Sequence, residues 1–185
     1  MPTTRILAIS GSLRSASLNT ALLRATTCLA PVGMQIDLFD GLGTLPLFNP
    51  DIEATDPPAV ATFRAHLLAA DGLLIASPEY AHGITGVMKN ALDWMVGCET
   101  FVNKPVALFN TSPRAVHAQA SIREILTTMS ARIVEAASIS LPILGGGFDE
   151  AGIVTHTVMS VALSKALQTF QAAISEYQAA AVGDN

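Results

Sequence analysis

The chain has 185 residues, half of them apolar and 14% charged, with a net charge of −5. That length supports one sizeable core, read as a single domain over residues 1–185, and the acidic balance without any basic run excludes a basic nucleic-acid footprint. No apolar run reaches the roughly 18 residues that span a bilayer, and "MPTTRILAIS" lacks a signal peptide's long apolar stretch, so the expectation is a soluble cytoplasmic protein without a membrane partner.

Strand-like and helix-like segments alternate along the chain. "RILAIS" (5–10) is a continuous apolar run, as expected of a parallel strand covered on both faces. A helix follows over about 17–30, with Leu18, Leu22, Leu23 and Leu29 on one side. "MQIDLF" (34–39) is a second strand, a loop rich in Gly and Pro covers 41–58, and 59–70 is a helix. "GLLIAS" (72–77) is a third strand ended by Pro78, and 84–96 is a helix with Val87, Leu92, Met95 and Val96 mostly inward. "PVALFN" (105–110), a helix over 116–130 and a fifth strand "RIVEAAS" (132–138) come next. Met159, Leu163, Leu167, Phe170, Ile174 and Tyr177 recur at steps of three or four, marking a final helix. "GGG" at 145–147 reads as a flexible loop.

Five strands, each leading into a helix, predict a doubly wound five-stranded parallel sheet in a three-layer α/β/α fold. Ligands in such folds bind beyond the carboxyl ends of the strands. That rule selects the loops after strands one, three and four: "GSLRSAS", "SPEYAHG" and "NTSPRAV".

The first loop opens a helix, where unpaired N–H groups and the positive end of the helix dipole hold a phosphate. Ser12, Ser17 and Asn19 offer further donors, and Arg14 offers a forked, charge-assisted contact. Ser15 or Ser17 capping the helix and Gly11 turning the chain is the plainer reading. It accounts for one serine, but not for an arginine and a second serine in the same loop. The loop carries neither G-x-x-x-x-G-K-[ST] nor G-x-G-x-x-G, so the P-loop and dinucleotide fingerprints are both missing, and Asp37 reads as an ordinary strand-end residue. Cys28 and Cys98 read as free thiols. The four histidines show no close pair along the sequence, and no metal site is expected.

The first loop supplies Gly11, Ser12, Arg14, Ser17 and Asn19; the second supplies Pro78, Glu79 and Tyr80, followed by Gly86, Lys89, Asn90, Ala91, Asp93 and Trp94. Together they resemble the signatures of the NADPH-dependent FMN reductase family of flavodoxin-like proteins. The resemblance implies that Ser12, Arg14, Ser17 and Asn19 hold the FMN phosphate, with Leu18 also among the cofactor-binding residues. It places Pro78, Glu79, Tyr80, Ala81, His82 and Gly83 along the isoalloxazine ring, with Thr111 and Ser112 as a third contact. It also implies no catalytic side chain. Hydride would pass from NAD(P)H through FMN, by a ping-pong cycle, to quinones, flavins, azo compounds or metal oxyanions. Ala81, Gly83 and Thr85 depart from the family's usual Asn, Ser and Pro. A flavodoxin-type electron carrier and a non-catalytic flavin-binding module are the alternatives. The apolar content, with a mean hydropathy of +0.45, predicts a homodimer or homotetramer.

Overall fold

A computed structural model describes residues 3–143 and 147–183. β1 (Thr4–Ser10), β2 (Met34–Phe39), β3 (Gly72–Ala76) and β4 (Pro105–Asn110) form a parallel sheet in the order β2-β1-β3-β4. α1 (Leu18–Cys28) follows β1, α3 (Pro58–Ala69) precedes β3, α4 (Gly86–Met95) follows β3, and α5 (Val116–Thr128) follows β4. This is the doubly wound arrangement that the alternating pattern predicts, and the flavodoxin-like one that the resemblance implies. Chain order and space diverge between β1 and β3, so the carboxyl ends of β1, β3 and β4 lie side by side, as a topological switch point requires.

Strand residues alternate between two apolar clusters. Leu7, Ile9, Leu73, Ile75, Val106 and Leu108 face α3, α4 and α5, packing with Phe63, Trp94 and Ile122. Ile6, Ala8, Leu74, Ala107 and Phe109 face α1 and the final helix α7 (Thr157–Gly183), packing with Leu22, Leu167 and Phe170. Burial on both faces explains why these strands read as unbroken hydrocarbon. Between 41 and 58, where a loop is expected, lie a 3₁₀ turn at Gly41–Thr44 and the short helix α2 (Pro50–Glu53). Asn49 caps α2 by accepting from the Asp51 N–H at 3.0 Å. Val96 turns out exposed, whereas Met95 is fully buried.

The fifth strand departs from its expected form. On the outer edge of β4, only Arg132–Ile133 (β5) and Ile139–Ser140 (β6) pair with it among the described residues, at two successive places. Glu135–Ala137 between them is a 3₁₀ turn. There the Ser138 hydroxyl, which donates to the Val134 carbonyl, accepts from the Leu108 N–H at 3.0 Å. A side chain thus replaces a ladder bond, so the strand can bulge while β4 stays satisfied. "DEAGIVT" contributes α6 (Glu150–Thr155), capped by Asp149 accepting from Gly152 N–H at 2.8 Å. Of the "GGG" segment, Gly145 and Gly146 lie outside the described residues.

Lys104 closes the C-terminal end of α3. Its ammonium donates to the carbonyls of Leu67 and Ala70, at 3.1 and 2.6 Å, and burial holds its pKa below the usual lysine value.

Phe170 is fully buried under the sheet, whereas Gln168, two residues earlier, faces solvent. Phe170→Ala is therefore expected to cost about 3–5 kcal/mol in urea unfolding and Gln168→Ala less than about 0.5. Equal losses would contradict this placement of α7.

Candidate functional site

The site begins with a close approach between two backbones. The Gly11 N–H donates to the Ala76 carbonyl at 2.8 Å, and the buried Thr85 hydroxyl donates to the Gly11 carbonyl at 2.7 Å. A Cβ on Gly11 would lie 2.3 Å from Ser77 Oγ and 3.1 Å from the Ser77 Cα. Only glycine lets the first and second loops come this near. The third loop joins through the Thr111 hydroxyl, which donates to Asn19 Oδ1 at 3.3 Å. Asn110 folds that loop back on itself: its Oδ1 accepts from the Ser112 N–H at 3.0 Å, and its amide donates to the Ser112 carbonyl at 2.7 Å.

The three loops enclose a cleft of about 430 Å³, within the range of small-molecule sites. Ser12, Arg14, Ser17, Leu18 and Asn19 line one side, Pro78, Glu79 and Tyr80 a second, and Thr111 and Ser112 a third. Ala81, His82 and Gly83 lie off its wall, while Asn110, Arg114 and Ala115 join it. A larger cavity of about 930 Å³ lies on the other side of the first loop, between α1 and residues 147–155. It touches neither the second nor the third strand-end loop, so the smaller cleft is the one at the switch point.

The first loop suits an anion. Ser17 is the N-cap of α1, its Oγ accepting from the Thr20 N–H at 3.2 Å. The next bond of the helix runs from Ala21 N–H to the Ser17 carbonyl. Among the described residues, the N–H groups of Leu18 and Asn19 have no acceptor. They lie at the positive end of α1 beside the exposed guanidinium of Arg14. Asn19 contributes its backbone, since its buried side chain turns to Thr111 rather than outward.

The second loop is a tight turn. Tyr80 and Gly83 exchange both backbone hydrogen bonds, at 3.0 and 3.1 Å. Ala81 and His82 both have positive φ, at 49° and 57°, as in a type I′ turn. Asparagine tolerates this region. Alanine and histidine hold it at a cost of about 1–2 kcal/mol each. Glu79 explains part of the turn's fixity: one carboxylate oxygen accepts from the Ala118 N–H at 2.9 Å, in the first turn of α5. α5 lacks a side-chain cap of its own, so the carboxylate from β3's loop serves that end.

The rest of the second motif does not face the cleft. Trp94 is fully buried, and its Nε1–H donates to the Pro46 carbonyl at 2.7 Å. Asn90 donates to the same carbonyl at 3.0 Å and accepts from the Phe48 N–H at 2.7 Å. These two residues fasten the segment before α2 to α4. Lys89 and Asp93 form an i,i+4 ion pair.

The His82 and His117 rings stack, with centroids 4.4 Å apart and planes at 18°. Sequence spacing gives no hint of this pair, because β3 and β4 bring their following segments together across 35 positions. With Glu79 they form a trio whose ligand atoms all lie within 4.8 Å of one another, a grouping that spacing along the sequence does not show.

Comparisons with known proteins bear on the family and the fold. Residues 4–143 match the model of the NADPH-dependent FMN reductases. The chain belongs to that family. An NAD(P)H-dependent FMN reductase from Pseudomonas aeruginosa is 36% identical over 90% of this chain and 93% of its own. An Arabidopsis thaliana NADPH:quinone oxidoreductase is 43% identical over 60% of this chain and 59% of its own. The flavoenzyme NAD(P)H:(acceptor) oxidoreductase of Paracoccus denitrificans superposes with a TM-score of 0.84 at 27% identity, covering 94% of this chain and 98% of that one. The FMN reductase is accordingly an oxidoreductase that works with FMN and NAD(P)H. Among its described residues, no helix is long and apolar enough to cross a membrane.

Gly11→Ala is expected to push the first loop off Ser77 and cost about 1–3 kcal/mol, with weakened flavin retention in the folded fraction. Unchanged melting and flavin content would show that the two loops need not meet.

Proposed function

We propose that this FMN reductase holds the FMN phosphate at the N-terminus of α1 and the flavin ring between the second and third loops. The observation that carries this is the pair of unpartnered N–H groups, Leu18 and Asn19, opening beside Arg14 onto the cleft. Ser12 adds a hydroxyl. Ser17 Oγ, already accepting from Thr20, keeps its O–H proton for an anion. The Pro78–Gly83 turn presents backbone along the ring, and Thr111 and Ser112 meet it from the far side.

FMN, when bound, supplies the two-electron chemistry, taking hydride from NAD(P)H and delivering electrons to an acceptor. The chain's part is to fix the nucleotide and leave one face accessible. Tyr80, 58% exposed on the cleft wall, borders that open side. Nicotinamide and acceptor use the same side in turn, which makes the cycle ping-pong. Quinones, the acceptors named for the plant relative, come first, with flavins, azo compounds and metal oxyanions as further acceptors. Exposed Leu47 and Val96, on segments joined by the Trp94–Pro46 bond, support self-association as a dimer or tetramer. Two free thiols, Cys28 and Cys98, suit a reducing cytoplasm.

Purified protein is expected to be yellow and to bleach on anaerobic addition of NAD(P)H, with colour returned by a quinone. Arg14→Ala should weaken FMN binding about tenfold to a hundredfold, the value of a charge-assisted hydrogen bond. Bound flavin that stays oxidised under NAD(P)H would make the chain an electron carrier instead. Unaltered FMN affinity in Arg14→Ala would overturn the phosphate assignment.

A further inference from the structure

We propose that Glu79, His82 and His117 form a binding site for a divalent transition-metal ion of the zinc class. The site sits at the rim of the flavin cleft and clasps the Tyr80–Gly83 turn to the start of α5. Their three ligand atoms lie within 4.8 Å of one another. Donors on a shared zinc ion, with bonds of about 2.1 Å, sit about 3–4 Å apart, so modest side-chain rotation closes the set. Two imidazoles and one carboxylate are a zinc donor set that leaves a fourth position to water.

Each ligand is placed for the role. Glu79 is held by the Ala118 N–H through one carboxylate oxygen, which leaves the other as a donor of fixed position. His82 is presented by a turn locked through two backbone hydrogen bonds. His117 stands in the first turn of the 13-residue helix α5. Among the described residues neither imidazole makes a side-chain hydrogen bond, although the two rings are stacked at 4.4 Å. Both are exposed, so an ion has an open path.

The surroundings also set selectivity. The positive end of α5 and the nearby Arg114 oppose any cation held by charge alone. Binding must come from imidazole donation, which favours zinc, nickel or copper over magnesium or calcium. The site does not depend on flavin. It joins the second loop to the first turn of α5, so occupancy stiffens the turn next to the cleft.

Titration calorimetry of the FMN-loaded, tag-free protein with zinc chloride tests the proposal. One ion per chain is expected, with no comparable heat from magnesium or calcium. His117→Phe keeps an aromatic ring against His82, and Glu79→Gln keeps an acceptor for the Ala118 N–H. Each should weaken zinc binding at least tenfold while the protein melts as the parent does. If either variant melts earlier, His82→Asn in the same titration decides. Zinc affinity equal in parent and folded variants, absence of binding heat, or equal binding of magnesium would each overturn the site.

Discussion

The packing of Gly11 against Ser77 is the constraint from which the rest of the site follows. Two strand-end loops can share one cleft only if their backbones touch, and here they touch where a methyl group would lie 2.3 Å from a side-chain oxygen. The Gly11 N–H and carbonyl are taken by the last residue of β3 and by α4's cap, so the approach is bonded as well as close. Thr85 does two things at once: its hydroxyl donates to Gly11 and accepts from the Met88 N–H as the N-cap of α4. This threonine ties the helix after the second loop to the first.

Once the loops are docked, the direction of α1 does the electrostatic work. Its N-terminus points into the cleft, and capping by Ser17 uses one N–H while leaving two others for a ligand. The neighbouring guanidinium adds full charge where the backbone offers partial charge. On the proposed reading, a phosphate there would meet fixed donors and need little reorganisation on binding.

Much of this was legible in the residues. β1, β3 and β4 were readable because hydrocarbon on both faces leaves continuous apolar runs, β2 because its buried and exposed residues alternate, and the three loops that line the cleft followed from strand order. The split edge strand was not, because Ser138 substitutes for a ladder bond and no periodicity marks such a replacement. Asn90 and Trp94 stood out as motif residues, yet both fasten to one carbonyl, at Pro46, more than 40 positions away. The contact between His82 and His117 was invisible for the same reason: it depends on β3 pairing with β4. The hold of Glu79 on the first turn of α5 was invisible too, because it joins segments 39 positions apart.

The central claim is that the start of α1 anchors FMN by its phosphate. Comparing FMN with riboflavin, which lacks that group, in fluorescence titrations of apoprotein tests it most directly. FMN should bind at least a hundredfold more tightly, with most of the difference gone in Arg14→Ala. Riboflavin binding as tightly as FMN to the parent protein would contradict the account.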